Sequence, residues 1–222
     1  FDAFDTAKDH NVHALILKYI GAAINQLKTF NILASVRTYD AEKSFNLRQL
    51  FPQISIRETI SCRHIEIREL SDDELTIFLK KVKILAAYSQ CNESLKRLLR
   101  IPYFLRIFQE LVQSEKGISV RKIKSIHTEE QLLSVYWLRK VPLNSRQEIL
   151  LEKLTSKLSQ GESLSCSRTE IVDDNNVAIY DALISDGILA ASNRARIISY
   201  SHNILLDYAI SLYVLPEQTQ EM

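Results

Sequence analysis

Two acidic residues near the start of the chain, Asp2 and Asp5, have the side chains and spacing that a phosphate-hydrolysing site needs. Magnesium at such a site takes hard oxygen ligands, often one protein carboxylate together with waters. A second carboxylate just beyond can orient the attacking water. On this interpretation Asp2 could bind Mg²⁺ and nucleotide, and Asp5 could be a catalytic residue. The alternative is a pair of loop acids that cap the following helix, which is their commoner use.

A third candidate, Arg37, follows the short apolar segment 30–36. Open α/β sheets bind ligands at the carboxyl ends of their strands. A guanidinium at that position could sense or stabilise a terminal phosphate, which would make Arg37 catalytic. The alternative is a surface arginine paired with Asp40 or Glu42, and the residue alone favours neither.

Two further candidates lie later in the chain. Pro102 stands at a break between two apolar helices, where proline at a helix start leaves backbone donors free and can cover an adenine base. His202 stands where a predicted hairpin meets the last helix, so its imidazole could donate a hydrogen bond to a phosphate oxygen. The alternatives are an ordinary turn between helices at Pro102 and a helix-capping histidine at His202.

The segments around these candidates predict an α/β front and a mostly helical remainder. Residues 12–27 have the three-and-four apolar spacing of an amphipathic helix. Segment 30–36 is typical of a buried parallel strand, and segment 63–70 alternates with period two like another strand. We interpret residues 1–5 as the end of a strand, so a strand, a helix and a strand follow in succession and form a crossover unit. Residues 1–70 are therefore expected to form part of an α/β domain with a parallel sheet.

Beyond residue 70 the pattern is helical. A capping box at residues 71–74 opens a helical stretch to about residue 112, broken at Pro102. Gly117 and the basic stretch 121–124 indicate a boundary. After it we predict three main helices, a hairpin and a closing helix, which together form a winged-helix module. Their predicted ranges are 128–138, 147–158 and 177–185 for the helices, 188–191 and 196–200 for the hairpin, and 204–214 for the last helix.

Composition limits the possible partners and compartment. The chain has 222 residues, 46 % apolar residues and a formal charge of +1, so electrostatics gives no reason to expect nucleic acid or an acidic membrane. No apolar run approaches the roughly 20 residues that span a bilayer. The three cysteines are far apart and form no C-x-x-C pair, which fits a reducing cytoplasm. The chain also lacks a G-x-x-x-x-G-K-[ST] loop and an initial methionine, and we expect that it begins within a domain.

Four short motifs follow one another in an order that resembles the STAND class of P-loop ATPases, which includes NACHT-type proteins and is related to AAA+ proteins. In that class a Walker B strand is followed by a sensor strand ending in arginine, a helical lid with a proline motif, and a winged helix with a nucleotide-sensing histidine. The resemblance covers essentially the whole chain. The motifs here are FDAFD (1–5), NILASVR (31–37), RIPY (100–103) and YSH (200–202).

The resemblance implies a fold, a set of site residues and a function. The fold would be α/β followed by mostly α, with a truncated P-loop parallel sheet (1–70), a helical lid bundle (71–120) and a C-terminal winged helix (121–222). The cofactors would be Mg²⁺ and ATP or ADP. The implied roles are Mg²⁺ binding for Asp2, water orientation for Asp5, sensing for Arg37, the adenine pocket for Pro102 and a β-phosphate contact for His202.

Three positions depart from the pattern of the class. Thr6 stands where glutamate often follows the second Walker B acid, Arg100 where the lid motif has glycine, and Tyr200 where phenylalanine is common. Thr6 would suit a slow switch. We therefore expect a signalling ATPase in which nucleotide binding and slow hydrolysis change the conformation and self-association of the intact protein.

Two other classes of function are compatible with the pattern. In the first, the winged helix would bind nucleic acid through the helix at 177–185; this helix contains Asp181 but no arginine or lysine, so we do not expect nucleic acid as a partner. In the second, the chain would be an interaction module that has lost hydrolysis.

Overall fold

The structure is a computed structural model that describes residues 10–26, 35, 68–115 and 117–215. The chain divides into two compact units, Phe1–Arg68 and Glu69–Met222. Within the described ranges, none of the helices has both the length and the apolar character that a membrane crossing requires.

The first unit contains helix α1 (His10–Gln26), which confirms the amphipathic helix predicted near residues 12–27. Leu17 and Ile20 are buried, whereas Leu15 and Tyr19 of the same predicted apolar stripe are 49 % and 62 % exposed. The three candidates of this unit, Asp2, Asp5 and Arg37, lie outside the described residues. Of the predicted strand 30–36, the structure describes Ser35 alone.

The second unit is mostly helical and contains a small antiparallel sheet of three strands. Its first half has helices α2 (Asp72–Lys81), α3 (Leu85–Tyr88), α4 (Glu93–Leu98), α5 (Pro102–Gln113), α6 (Val120–Lys124) and α7 (Glu129–Lys140). Its second half has α8 (Arg146–Gln160), β1 (Ser165–Ser167), α9 (Arg168–Ile171), α10 (Val177–Ser185), β2 (Leu189–Ser192), β3 (Ile197–Tyr200) and α11 (Asn203–Tyr213). These elements confirm the mostly helical part of the predicted fold class. The predicted parallel sheet lies almost wholly outside the described residues.

The stretch from residue 72 to about 112 is helical and broken at Pro102, as predicted, but the part before Pro102 consists of three separate helices. Lys83 follows α2 in a left-handed conformation, with φ of 59°. A residue in this conformation commonly ends a helix, and it is usually glycine. Asn92 then starts α4, accepting a hydrogen bond from the Leu95 amide over 2.9 Å. The last residues of the predicted strand 63–70, from 68 onward, have no regular secondary structure.

The sheet has the strand order β1-β3-β2, and both pairs are antiparallel. β2 and β3 form the predicted hairpin, with Leu189 opposite Tyr200. Three consecutive residues of its turn (Asn193, Arg194 and Ala195) have positive φ. The third strand, β1, was not predicted.

One hydrophobic core runs through the second unit, from α2 to α11. Phe108 of α5 and Leu154 of α8 are fully buried in this core, so the predicted lid segment 71–120 and the predicted winged-helix segment 121–222 share it. The division between these two segments at residue 120 stays a prediction. Trp137 belongs to the same core and packs against Tyr208 with ring centroids 5.5 Å apart.

Candidate functional site

His202 is the N-cap residue of α11, in extended backbone between β3 and the helix. Its Nδ1 accepts a hydrogen bond from the Ile204 amide over 3.2 Å. An acceptor nitrogen carries no proton, so the neutral ring carries its proton on Nε2. Among the described residues Nε2 has no hydrogen-bond partner. The helix-capping alternative for His202 is thus part of the observed geometry, and it leaves one ring donor available.

The imidazole of His202 lies flat against the ring of Tyr103. The two centroids are 3.7 Å apart and the ring planes differ by 20°. Tyr103 directly follows Pro102, the first residue of α5. The structure therefore brings the proline segment and the histidine segment, far apart in sequence, to one surface.

Arg100, which stands where the lid motif has glycine, anchors the start of α5. Its guanidinium forms an ion pair with Asp72 at the start of α2. Its carbonyl accepts a hydrogen bond from the Leu70 amide over 2.9 Å. This arginine fixes where α5 begins and hence where Tyr103 lies.

The other side of the contact is anchored by Tyr200, two residues before His202. The Tyr200 hydroxyl lies 2.7 Å from Thr155 Oγ1 of α8, and both groups are buried. The intervening Ser201 donates from its amide to the Ile188 carbonyl over 2.9 Å and from its hydroxyl to the Gly187 carbonyl. The end of β3 is thus fixed by the contact of Tyr200 with α8 and by the hydrogen bonds from Ser201 to the residues just before β2.

Charged residues of α5 and α7 border this surface. Arg106 Nε donates to Glu110 Oε1 over 3.0 Å, although the Arg106 side chain remains 67 % exposed. Glu110 Oε2 accepts from the Tyr136 hydroxyl over 3.0 Å and lies 3.6 Å from Lys140 Nζ. The side chains of Arg106, Glu110 and Lys140 line an open cleft of about 430 Å³, together with Ser185, Asp186 and Gly187. Because Glu110 is shared between two cations, the Arg106 guanidinium keeps positive charge toward solvent.

The surroundings of His202 favour the neutral form of its imidazole. Partial burial lowers the pKa of His202 below its usual value, and the nearby positive charge of Arg106 lowers this pKa further; Asp207 acts in the opposite direction. Burial also raises the pKa of Tyr103 to about 12. His202 therefore faces the solvent as a neutral N–H donor beside a cation.

The predicted metal and catalytic residues cannot be placed in this surface, because Asp2, Asp5 and Arg37 lie outside the described ranges. Within those ranges no group of three or more histidine, cysteine, aspartate and glutamate side chains could hold a metal ion.

The motif RIPY (100–103) contains Tyr103, but the sequence pattern assigned no role to Tyr103 or to Arg106. Their signal is helical spacing: Tyr103 follows the proline, and Arg106 lies three positions later, so both share one side of α5. What the pattern lacks is any indication that the Tyr103 ring contacts His202.

A second candidate surface, formed by α10 and the β2–β3 turn, differs from the His202 surface in its charged residues. Arg194 and Arg196 are exposed on the turn, and Asp181 is exposed on α10. Arg168 at the start of α9 lies over the Tyr180 ring, 5.0 Å from its centroid. α10 itself carries no basic residue.

Comparison of the chain with family models, curated proteins and solved structures gave no significant match.

Proposed function

We propose that residues 69–215 form the lid and winged-helix part of a STAND-class signalling ATPase, and that His202 contacts the nucleotide diphosphate. The observation that supports this most is the stacking of Tyr103, next to Pro102, on His202 at 3.7 Å. In the class that the sequence resembles, these two motifs face one nucleotide. Convergence of residues so distant in sequence is not required by either motif alone.

The order of elements supports the same proposal. Helices α7, α8 and α10, the β2–β3 hairpin and the closing helix α11 occur in the order expected for a winged helix, with β1 and α9 between α8 and α10. A hairpin that leads straight into a histidine-capped helix puts the imidazole at the edge of the module, next to the segment proposed as the lid.

The proposed switch follows from differential contacts. With ADP bound, the Nε2–H of His202 would donate to a phosphate oxygen and hold the winged helix against the lid. Exchange for ATP and Mg²⁺ would alter that contact, release the module and allow self-association of the intact protein. A ligand shifts a conformational equilibrium only by such differences in affinity between two states. Asp2, Asp5 and Arg37 would provide the metal and hydrolytic functions.

The dissociation rate of a fluorescent ADP analogue, measured in the protein that contains this chain, tests the proposal. His202→Ala removes one hydrogen bond to a charged group, worth about 1.5–3 kcal/mol, so ADP should dissociate roughly 10- to 100-fold faster. The matched control is His127→Ala, which removes another exposed histidine and should leave the rate unchanged. An unchanged rate in the His202 variant would contradict the proposed contact.

Hydrolysis is a separate question, because an interaction module that binds nucleotide without turning it over would pass the first test. Turnover of radiolabelled ATP by the same protein addresses it, with Asp5→Asn as the control that removes the proposed water-orienting carboxylate. Slow turnover that Asp5→Asn abolishes supports a switch ATPase. Turnover equal to that of the Asp5 variant would favour the inactive interaction module.

A further inference from the structure

Two different contacts hold the imidazole of His202: one restrains the position of Nδ1, and the other restrains the plane of the ring. The hydrogen bond from the Ile204 amide to Nδ1 fixes one atom of the ring. A hydrogen bond of this length tolerates some rotation about the Cβ–Cγ bond, so the cap alone restrains the ring plane only loosely. The Tyr103 ring, parallel to the imidazole within 20°, fixes the plane.

Together these contacts determine the direction of Nε2. Nδ1 and Nε2 are both bonded to Cε1 and have fixed positions in the planar ring, so a ring held at Nδ1 and in its plane has one direction left for its N–H. Within the part of the chain that the structure describes, that donor meets no acceptor.

Tyr103 is itself well anchored for this role. Its ring packs edge-on against the neighbouring Phe104, with centroids 5.8 Å apart. Phe104 is buried in the core, and the start of α5 is fixed by the backbone bond between Leu70 and Arg100. The stacking partner of His202 is therefore attached to the core of the unit and does not belong to a free loop.

Resting on the proposed function, we propose that Tyr103 is a positioning residue that holds the His202 imidazole so that Nε2–H faces an anionic ligand, the diphosphate of ADP. Tyr103 acts through His202 and needs no contact with the ligand. Arg106, one turn later on α5, adds a positive charge on the same side.

Dissociation of the ADP analogue, in the protein that contains this chain, separates this role from a structural one. Tyr103→Phe keeps the stacking ring and should leave the rate within about twofold, whereas Tyr103→Leu keeps apolar bulk but loses the stack and should accelerate release about tenfold, as residues that orient a liganding histidine do in metal sites. If Tyr103 acts only through His202, Tyr103→Leu combined with His202→Ala should be no faster than His202→Ala alone. A Tyr103→Leu variant that retains ADP normally while His202→Ala does not would overturn the inference and leave the proposed function intact. Normal ADP retention in both variants would contradict the inference and the proposed function alike.

Imidazole NMR of the 222-residue chain gives a readout that needs no nucleotide. In the wild type and in Tyr103→Phe the neutral His202 should be the Nε2–H form with a depressed pKa. In Tyr103→Leu the two neutral forms should mix and the pKa should move toward about 6.5. Identical His202 signals in Tyr103→Leu and wild type would overturn the positioning role. If Tyr103→Leu fails to fold, Tyr103→Gln, which retains length without a ring, takes its place in both measurements.

Discussion

The surface at His202 and the surface at α10 belong to the same three-stranded module, yet they present opposite chemistry. At His202 a ring is held by a cap and a stack, with one donor directed outward and the Arg106 cation beside it. At α10 the helix that a DNA reader would place in the groove carries Asp181 and no cation, and the Arg194 and Arg196 side chains lie on the turn. The His202 donor therefore lies beside the start of α5 in the predicted lid segment, and the comparison favours a ligand there over nucleic acid at α10.

The largest effect on both surfaces is expected from a mutation in the hydrophobic core that they share. Leu154 of α8 is fully buried in the shared core. Leu154→Ala should lower the free energy of unfolding by about 2–5 kcal/mol, the usual loss of transfer energy plus the cost of a cavity. Chemical denaturation measures it. Leu143→Ala, at a leucine that is 68 % exposed, is the control and should change stability little; an equally mild effect at Leu154 would argue against a common core.

A smaller effect should appear when only the His202 side loses an anchor. Tyr200→Phe removes the hydroxyl that meets Thr155 over 2.7 Å. Because Thr155 Oγ1 still donates to the Leu151 carbonyl, the loss should be about 1–2 kcal/mol of unfolding free energy.

Tyr180→Phe is the matched control for this change, since the buried Tyr180 hydroxyl has no hydrogen-bond partner among the described residues. Its removal should be neutral or slightly stabilising. Equal losses at both tyrosines would mean that the Tyr200–Thr155 bond does not fix the end of β3.

Much of the second unit could be predicted because its signals are local. The capping box of Ser71 and Glu74 forms as expected, with Glu74 Oε2 accepting from the Ser71 amide over 2.9 Å. Helix α10 has the predicted bounds, and Gly187 just after it has φ of +73°, the conformation in which glycine often ends helices.

The failures depend on contacts between distant residues or on unusual local conformations. β1 is three residues long with two serines, and it exists because Ser165 pairs with Ser199 on β3. Lys83 adopts a left-handed conformation, which a sequence pattern indicates only when the residue is glycine. The candidate site shows the same limit: Pro102 and His202 could be proposed from their motifs, whereas the Tyr103 stack depends on how α5 packs against the start of α11.

The pH dependence of stability sharpens the account of His202 itself. Its pKa in the folded protein is lowered, first by burial and then by Arg106. The unfolded chain therefore binds the proton more readily, so this stabilising contribution is present above about pH 6.5 and is lost as the pH falls. His202→Asn keeps a good N-cap without titrating. Between about pH 7.5 and about pH 5.5 the free energy of unfolding, measured by chemical denaturation, should fall more in the wild type than in this variant. Parallel pH profiles would contradict the depressed pKa.

The smallest effects are expected at the turn of the hairpin. Replacement of Arg194 and Arg196 by glutamine should leave ADP dissociation unchanged, because both side chains lie on the turn and not at His202. Fluorescence anisotropy of labelled duplex DNA at low salt should show no binding by the wild type. Binding that the double variant abolishes would reverse the comparison and favour the nucleic-acid alternative.

The most direct test is an experimental structure of the protein that contains this chain with ADP bound. The account predicts a phosphate oxygen about 2.7–3.2 Å from His202 Nε2, the range of an N–H···O hydrogen bond, with the Tyr103 ring still stacked on the imidazole. ADP bound elsewhere, or no ADP at saturating concentration with Nε2 facing solvent, would contradict the claim that the lid and winged-helix motifs meet at a nucleotide.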